Sequence, residues 1–181
     1  MMTRTRGFVL LGSLLLLSVV LAGSKPGLAE PSSDVFTPSS RFGLRSLKGF
    51  YVQVDRLPFD VEQRGLYKSE LQREVELRMR KAGAVVLMPE DGMATPGVPR
   101  LHVRILASKQ HNSPYYAYCI VLNFDQPATL SRDNSISVDA TTWSRTRLGM
   151  IKKGDMPELR EVVATMADDF LNAYLAENPR H

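Results

Sequence analysis

Leu101-His102-Val103-Arg104-Ile105 and, after a polar break, Tyr115-Tyr116-Ala117-Tyr118-Cys119-Ile120-Val121-Leu122-Asn123-Phe124 decide the fold. The first stretch alternates apolar and polar residues with a period of two, the pattern of a half-buried strand. The second is the longest apolar strand of the chain. Ser108 to Pro114 lies between them and reads as the turn of a hairpin. The two strands are therefore expected to pair antiparallel.

The pattern continues on both sides. Ala128 to Leu130 extends the apolar strand past Pro127, Ser131 to Ser135 makes the next turn, and Ile136 to Arg145 reads as a further strand rich in β-branched residues and carrying Trp143. Upstream, Phe50, Val52 and Val54 alternate with polar neighbours in a strand over Gly49 to Asp55. Tyr67, Leu71, Val75, Met79 and Ala82 then recur every three or four residues, which predicts an amphipathic helix over Leu66 to Ala82. Gly83 suits its left-handed C-terminal position. Ala84 to Met88 reads as a short buried strand, and residues 89–99, with three prolines and two glycines, as a loop.

The last element is a helix. Asp155 is placed to cap it, Pro157 fits the first turn, and Glu158 completes a capping-box spacing. Leu159, Val162, Val163, Met166, Phe170 and Tyr174 form its apolar face, and Asn178-Pro179 ends it. The order β-α-β-β-β-β-α predicts an α+β fold. The expected form is a two-layer α/β sandwich: a mixed, mostly antiparallel sheet of about five strands with two helices on one face.

This layout resembles small bacterial envelope modules, namely the TolB N-terminal domain, the LptE-like lipopolysaccharide-assembly lipoproteins and uncharacterised periplasmic proteins. The corresponding segments are Leu71 to Val86, Pro99 to Ile105, Tyr116 to Leu130 and Met156 to Leu175. The resemblance covers residues 47–177 and implies a protein-binding or assembly-accessory role. The chain lacks the Cys that LptE-like lipoproteins carry after their apolar segment.

The N-terminal segment has the pattern of a secretory signal peptide. Arg4 and Arg6 precede an apolar run from Phe8 to Ala22, and Gly27 and Ala29 supply small residues before a cut after Ala29. The run is shorter than the roughly 20 residues a spanning helix needs. The expected organisation is a signal peptide at 1–29, a flexible linker at 30–46, one globular domain at 47–177 and a tail at 178–181. The expected localisation is periplasmic or extracellular, with membrane contact only through the signal segment if it is uncleaved.

Residues 1–29 carry three basic residues and no acid, so without them the net charge of +4 falls to +1. Nucleic-acid binding thereby loses its electrostatic support. The single Cys119 has no intramolecular disulfide partner and reads as a buried, inert thiol.

No catalytic constellation is evident. His102, His111 and His181 lack metal-ligand spacing, no Gly-x-Ser-x-Gly elbow is present, and Gly92 and Gly97 sit among prolines rather than in a phosphate loop. Asp168-Asp169 reads as part of a solvated helix face. No cofactor and no metal are expected. One constellation carries a functional expectation. If two helices cover one sheet face, Tyr51, His102 and Arg104 point the other way, joined by Tyr115, Tyr116, Tyr118, Trp143 and Arg145 from neighbouring strands. Tyr, Trp and Arg in one place are the residue types of a protein interface. The expected function is that of an exported, non-enzymatic envelope protein that binds a partner protein. The alternatives are a secreted hydrolase built from scattered Asp, Glu and Arg, and a small-ligand carrier with an apolar cavity of roughly 300 Å³ or more.

Overall fold

A computed structural model describes residues 42–95, 97–109 and 111–179. The expected signal peptide and residues 30–41 of the expected linker lie outside the described residues. The chain is α+β, with an open, mixed four-stranded sheet in the order β1-β2-β3-β4. The strands are β1 (Tyr51–Val54), β2 (Arg100–Lys109), β3 (Tyr115–Leu130) and β4 (Asp133–Lys152). Four α-helices are described: α1 (Phe59–Glu62), α2 (Lys68–Lys81), α3 (Pro89–Ala94) and α4 (Leu159–Glu177), the last preceded by a 3-10 helix over Lys153–Glu158. None of the described helices is long and apolar enough to cross a membrane.

β1 runs parallel to β2, through the crossover that contains α2, while β2, β3 and β4 are antiparallel neighbours. The register places Leu101 opposite Phe124, Val103 opposite Leu122 and Ile105 opposite Ile120. All six are buried, so one face of the sheet is fixed by apolar pairs, and a one-residue slip would expose every one of them.

That face is covered by α2 and α4. Leu71, Val75 and Met79 of α2 are buried at four-residue spacing. The helix ends in a Schellman motif: Gly83, at φ +85°, donates to the Arg80 carbonyl at 2.9 Å, and Ala84 donates to that of Met79 at 3.1 Å. The centre of the core is aromatic. Phe170 of α4 lies 5.5 Å from Phe50, 5.2 Å from Phe124 and 5.2 Å from Trp143, centroid to centroid.

Four expectations need correction. Among the described residues the sheet has four strands, not five. Ala84 to Met88 meets β1 only at a single bridge, Phe50 with Val86, because Pro89 then turns the chain into α3. The segment 89–99 is accordingly not all loop. The capping box at Asp155 does not form; Pro157 sits inside the 3-10 helix that buries Met156, and no side-chain cap is made at either helix start. Finally, Leu44, within the expected linker, is fully buried, and its carbonyl accepts a hydrogen bond from Asn178 Nδ2 at 2.6 Å.

β3 and β4 are longer than their apolar cores. β2 reaches only as far as Asp125, opposite Arg100, so beyond that pair β3 and β4 continue as a two-stranded ribbon to Leu130 and Asp133. Pro127 is accommodated there, where no described strand flanks β3 on its other side. A bulge between Phe124 and Asp125 leaves Thr142 without a register partner, since Trp143 pairs with Phe124 and Thr141 with Asp125.

Candidate functional site

The eight residues expected on one interaction face divide between both faces. Only His102, Arg104, Tyr115 and Tyr51 lie on the side away from α2 and α4, and of these Tyr51 is buried. Its ring lies under Gly92 of α3, where an added Cβ would collide with the ring carbons. The other four point toward the helices. Trp143 stands opposite Phe124 in the core, and Tyr116 is buried with its hydroxyl accepting from Arg64 Nε at 3.2 Å. Tyr118 packs against the core, and Arg145 binds Asp169 of α4 at 3.1 Å. The physical reason is parity. Successive strand residues alternate faces, so Tyr115 and Tyr116 cannot share one, and the pairing of Ile105 with Ile120 sends the even-numbered residues of β3 toward the helices.

The second face has a polar part and an apolar part. In the polar part, Asp55 accepts from His102 Nε2 at 2.7 Å and from Arg104 Nε at 3.0 Å. Asp125 accepts from Arg100 at 3.0 Å and from the Thr141 hydroxyl at 2.6 Å. His102 Nδ1 lies 3.7 Å from Asp125, so the imidazole stands between two carboxylates. Burial opposes ionisation of Asp55, but the His102 and Arg104 hydrogen bonds and charges outweigh it and hold its carboxyl below the ordinary aspartate value. Arg100 is likewise affected first by burial, which disfavours its charge. The hydrogen bond to the Asp125 carboxylate, with Tyr51 and the Asp125 charge close by, reverses that and raises its pKa. The carboxylates of this face are thus engaged by cations. No group of three or more His, Cys, Asp or Glu residues with metal-binding geometry occurs among the described residues.

The apolar part is formed by two rows across β2, β3 and β4. Leu106, Cys119 and Leu148 stand in register, followed by Ser108, Ala117 and Met150. Leu106, Leu148 and Met150 are 54, 61 and 46% exposed, and Cys119, expected to be buried, is only half-buried on this face. No described helix covers these rows. Sequence reasoning missed Leu148 and Met150 because the strand was expected to end at Arg145. The alternation of Thr146, Leu148 and Met150 with Arg145, Arg147 and Gly149 is the signal that extends it.

A second feature lies at the outer edge of β1. The side-chain amide of Gln72 accepts from the Val54 N–H at 2.9 Å and donates to the Val52 carbonyl at 2.5 Å. An open cleft of about 830 Å³ runs beside it, lined by Val52, Gln53 and Val54, by Phe59 and Tyr67, and by the ends of the neighbouring helices.

Compared with known proteins, the chain matches no protein-family model and no curated sequence. The surface chemistry of this chain itself therefore carries the functional argument.

Proposed function

We propose that this protein is an exported, non-enzymatic envelope module that binds a partner protein through the second face of its sheet. The observation that carries the reading is the apolar patch in which Leu106, half-buried Cys119 and Leu148 stand in register over three strands, with Ala117 and Met150 in register beside them on two. Antiparallel sheets with one solvated face ordinarily alternate polar residues outward. Contiguous large apolar side chains in that position are the mark of an interaction surface. The salt-bridged cluster around Asp55 and Asp125 borders the rows, in the arrangement of an apolar centre with a polar rim. The signal-peptide pattern of residues 1–29 supports export.

Site-specific photocrosslinking in the native cells tests this reading. A photoreactive residue at Leu148 is expected to give an adduct with one discrete partner, and the same residue at Leu77, exposed on α2, is expected to give none. Leu106→Arg should abolish the Leu148 adduct while leaving the urea midpoint unchanged. Absence of a position-dependent adduct would overturn the reading.

A further inference from the structure

The geometry points to a second binding site, separate from the apolar rows, in which an extended segment of a partner polypeptide adds to β1 as a fifth strand.

The outer edge of β1 is only half paired. At Phe50 it is met by the chain after α2: Phe50 donates to the Val85 carbonyl at 3.1 Å, and Leu87 donates to that of Phe50 at 2.9 Å. The segment then leaves the edge, because Met88 leads into Pro89 and α3. The next strand position alongside Val52–Val54 is therefore not filled by a described strand. In its place stands the Gln72 amide. A primary amide offers one carbonyl and one N–H₂ group, the same donor and acceptor that a peptide bond offers. Gln72 presents them to the Val54 N–H and the Val52 carbonyl as a neighbouring strand would. The site thus already takes the N–H and C=O pair that one residue of a parallel neighbouring strand would offer, supplied in cis by a side chain.

Gln72 also has somewhere to go. Its Nε2 donates to Glu76 Oε1 at 2.7 Å, so when a peptide takes over the β1 edge the amide keeps a partner on its own helix. The cleft beside it is the size of a ligand site and is lined by Val52, Gln53 and Val54 of β1 itself. Phe59 and Tyr67, 72 and 48% exposed, supply an apolar wall. Glu62 and Glu90 face the same cleft with a single cation, Lys68, so the charge balance favours a basic side chain on the incoming segment. The occupant is an extended, basic-and-apolar segment of another protein, bound by strand addition: backbone bonds give affinity and alternate side chains give specificity.

The test uses the full chain and a phage-displayed library of random dodecapeptides. Enriched peptides carrying a basic residue are expected. An enriched peptide is then synthesised with a single N-methyl group at each backbone position in turn. Because strand edges pair through every second residue, methylation should weaken binding about tenfold at alternate positions and leave the intervening ones unchanged, one lost hydrogen bond to a peptide group being worth roughly 1 kcal/mol or more. Phe59→Ala, at an exposed position, should weaken binding by a similar factor. Gln72→Ala, which removes the competing amide, should strengthen it about threefold. Leu148→Arg should leave peptide affinity unchanged, which separates this site from the sheet face. No enriched peptide, a methylation profile without the two-residue period, or loss of binding in Leu148→Arg would each overturn the proposal.

Discussion

Trp143 of β4 and Phe170 of α4 meet edge to face, ring centroids 5.2 Å apart and planes at 75°. The contact joins the edge strand of the sheet to the C-terminal helix at the middle of the core. Trp143 also carries a cost: its indole Nε1 is buried without a hydrogen-bond partner among the described residues. The two effects separate by mutation. Trp143→Ala should destabilise by about 3–5 kcal/mol through the cavity it leaves. Trp143→Phe keeps the ring contact and removes the unsatisfied N–H, whose burial costs about 1–3 kcal/mol, so its loss should be less than half as large. Urea unfolding followed by circular dichroism measures both.

Gly92 and Gly149 both lie against tyrosines, with different consequences. A Cβ at Gly92 would strike the ring and Cβ of buried Tyr51, atoms close to the β1 backbone that have no room to move. Gly92→Ala should cost about 1–3 kcal/mol as an overpacked contact and should loosen α3 from β1. At Gly149 a Cβ would meet the Tyr118 hydroxyl at 2.5 Å and the ring carbons Cζ and Cε1 at 2.6 and 2.8 Å, and that ring packs against the core. The roughly 0.5–1 kcal/mol that glycine forfeits in a strand offsets part of this clash, so Gly149→Ala should destabilise, but by less than Gly92→Ala. Comparing the two melting temperatures checks the distinction.

Acid should release the Asp55 cluster. The Asp55 carboxyl titrates below its ordinary value in the folded chain, so the folded state holds its proton less tightly than the unfolded state does. Its stabilising contribution is therefore complete at neutral pH and is lost as pH falls through the lowered folded pKa. Asp55→Asn should lower stability at pH 7 and flatten the fall of the urea midpoint below about pH 4, the range in which an unperturbed aspartate titrates. The difference between the variant and the parent should shrink as the pH falls through that lowered folded value.

Cys119 reports on the sheet face without any engineering. It is half-buried between Leu106 and Leu148 and is the only cysteine of the chain. A small maleimide should modify it slowly in the isolated protein. Addition of the crosslinked partner, once purified, should protect it at least tenfold, since a stable interface excludes solvent from the residues at its centre. Equal modification rates with and without partner would place binding elsewhere.

The strand and helix periods were legible because each depends on burial of one face. Leu101, Val103 and Ile105 alternate cleanly, Leu71, Val75 and Met79 recur at helical spacing, and Gly83 takes the left-handed conformation its position suggested. What alternation could not supply was phase. Trp143 and Thr141 are both odd-numbered, yet the bulge at Thr142 puts Trp143 in the core and Thr141 beside Asp125 on the other face. Aromatic character was equally ambiguous, since Tyr116 and Trp143 serve the core as readily as an interface. The apolar run Ala84 to Met88 is chemically a strand, and only the direction imposed by Pro89 prevents it from becoming one. The Gln72 contact with β1 spans 18 residues to Val54 and 20 to Val52 and leaves no local signature.

The ribbon beyond Asp125 gives the molecule a region whose length is decoupled from its stability. Its two strands pair only with each other there, and β4 is exposed throughout Asp133–Asp139. Matched pairs of residues, one on each strand, can be added or removed near Leu130 and Asp133 without disturbing the Phe124–Trp143 pair, provided the number of pairs is even so that facing is preserved. The hairpin thus behaves as an adjustable arm: its reach into the surroundings can be reset while the packed body stays the same.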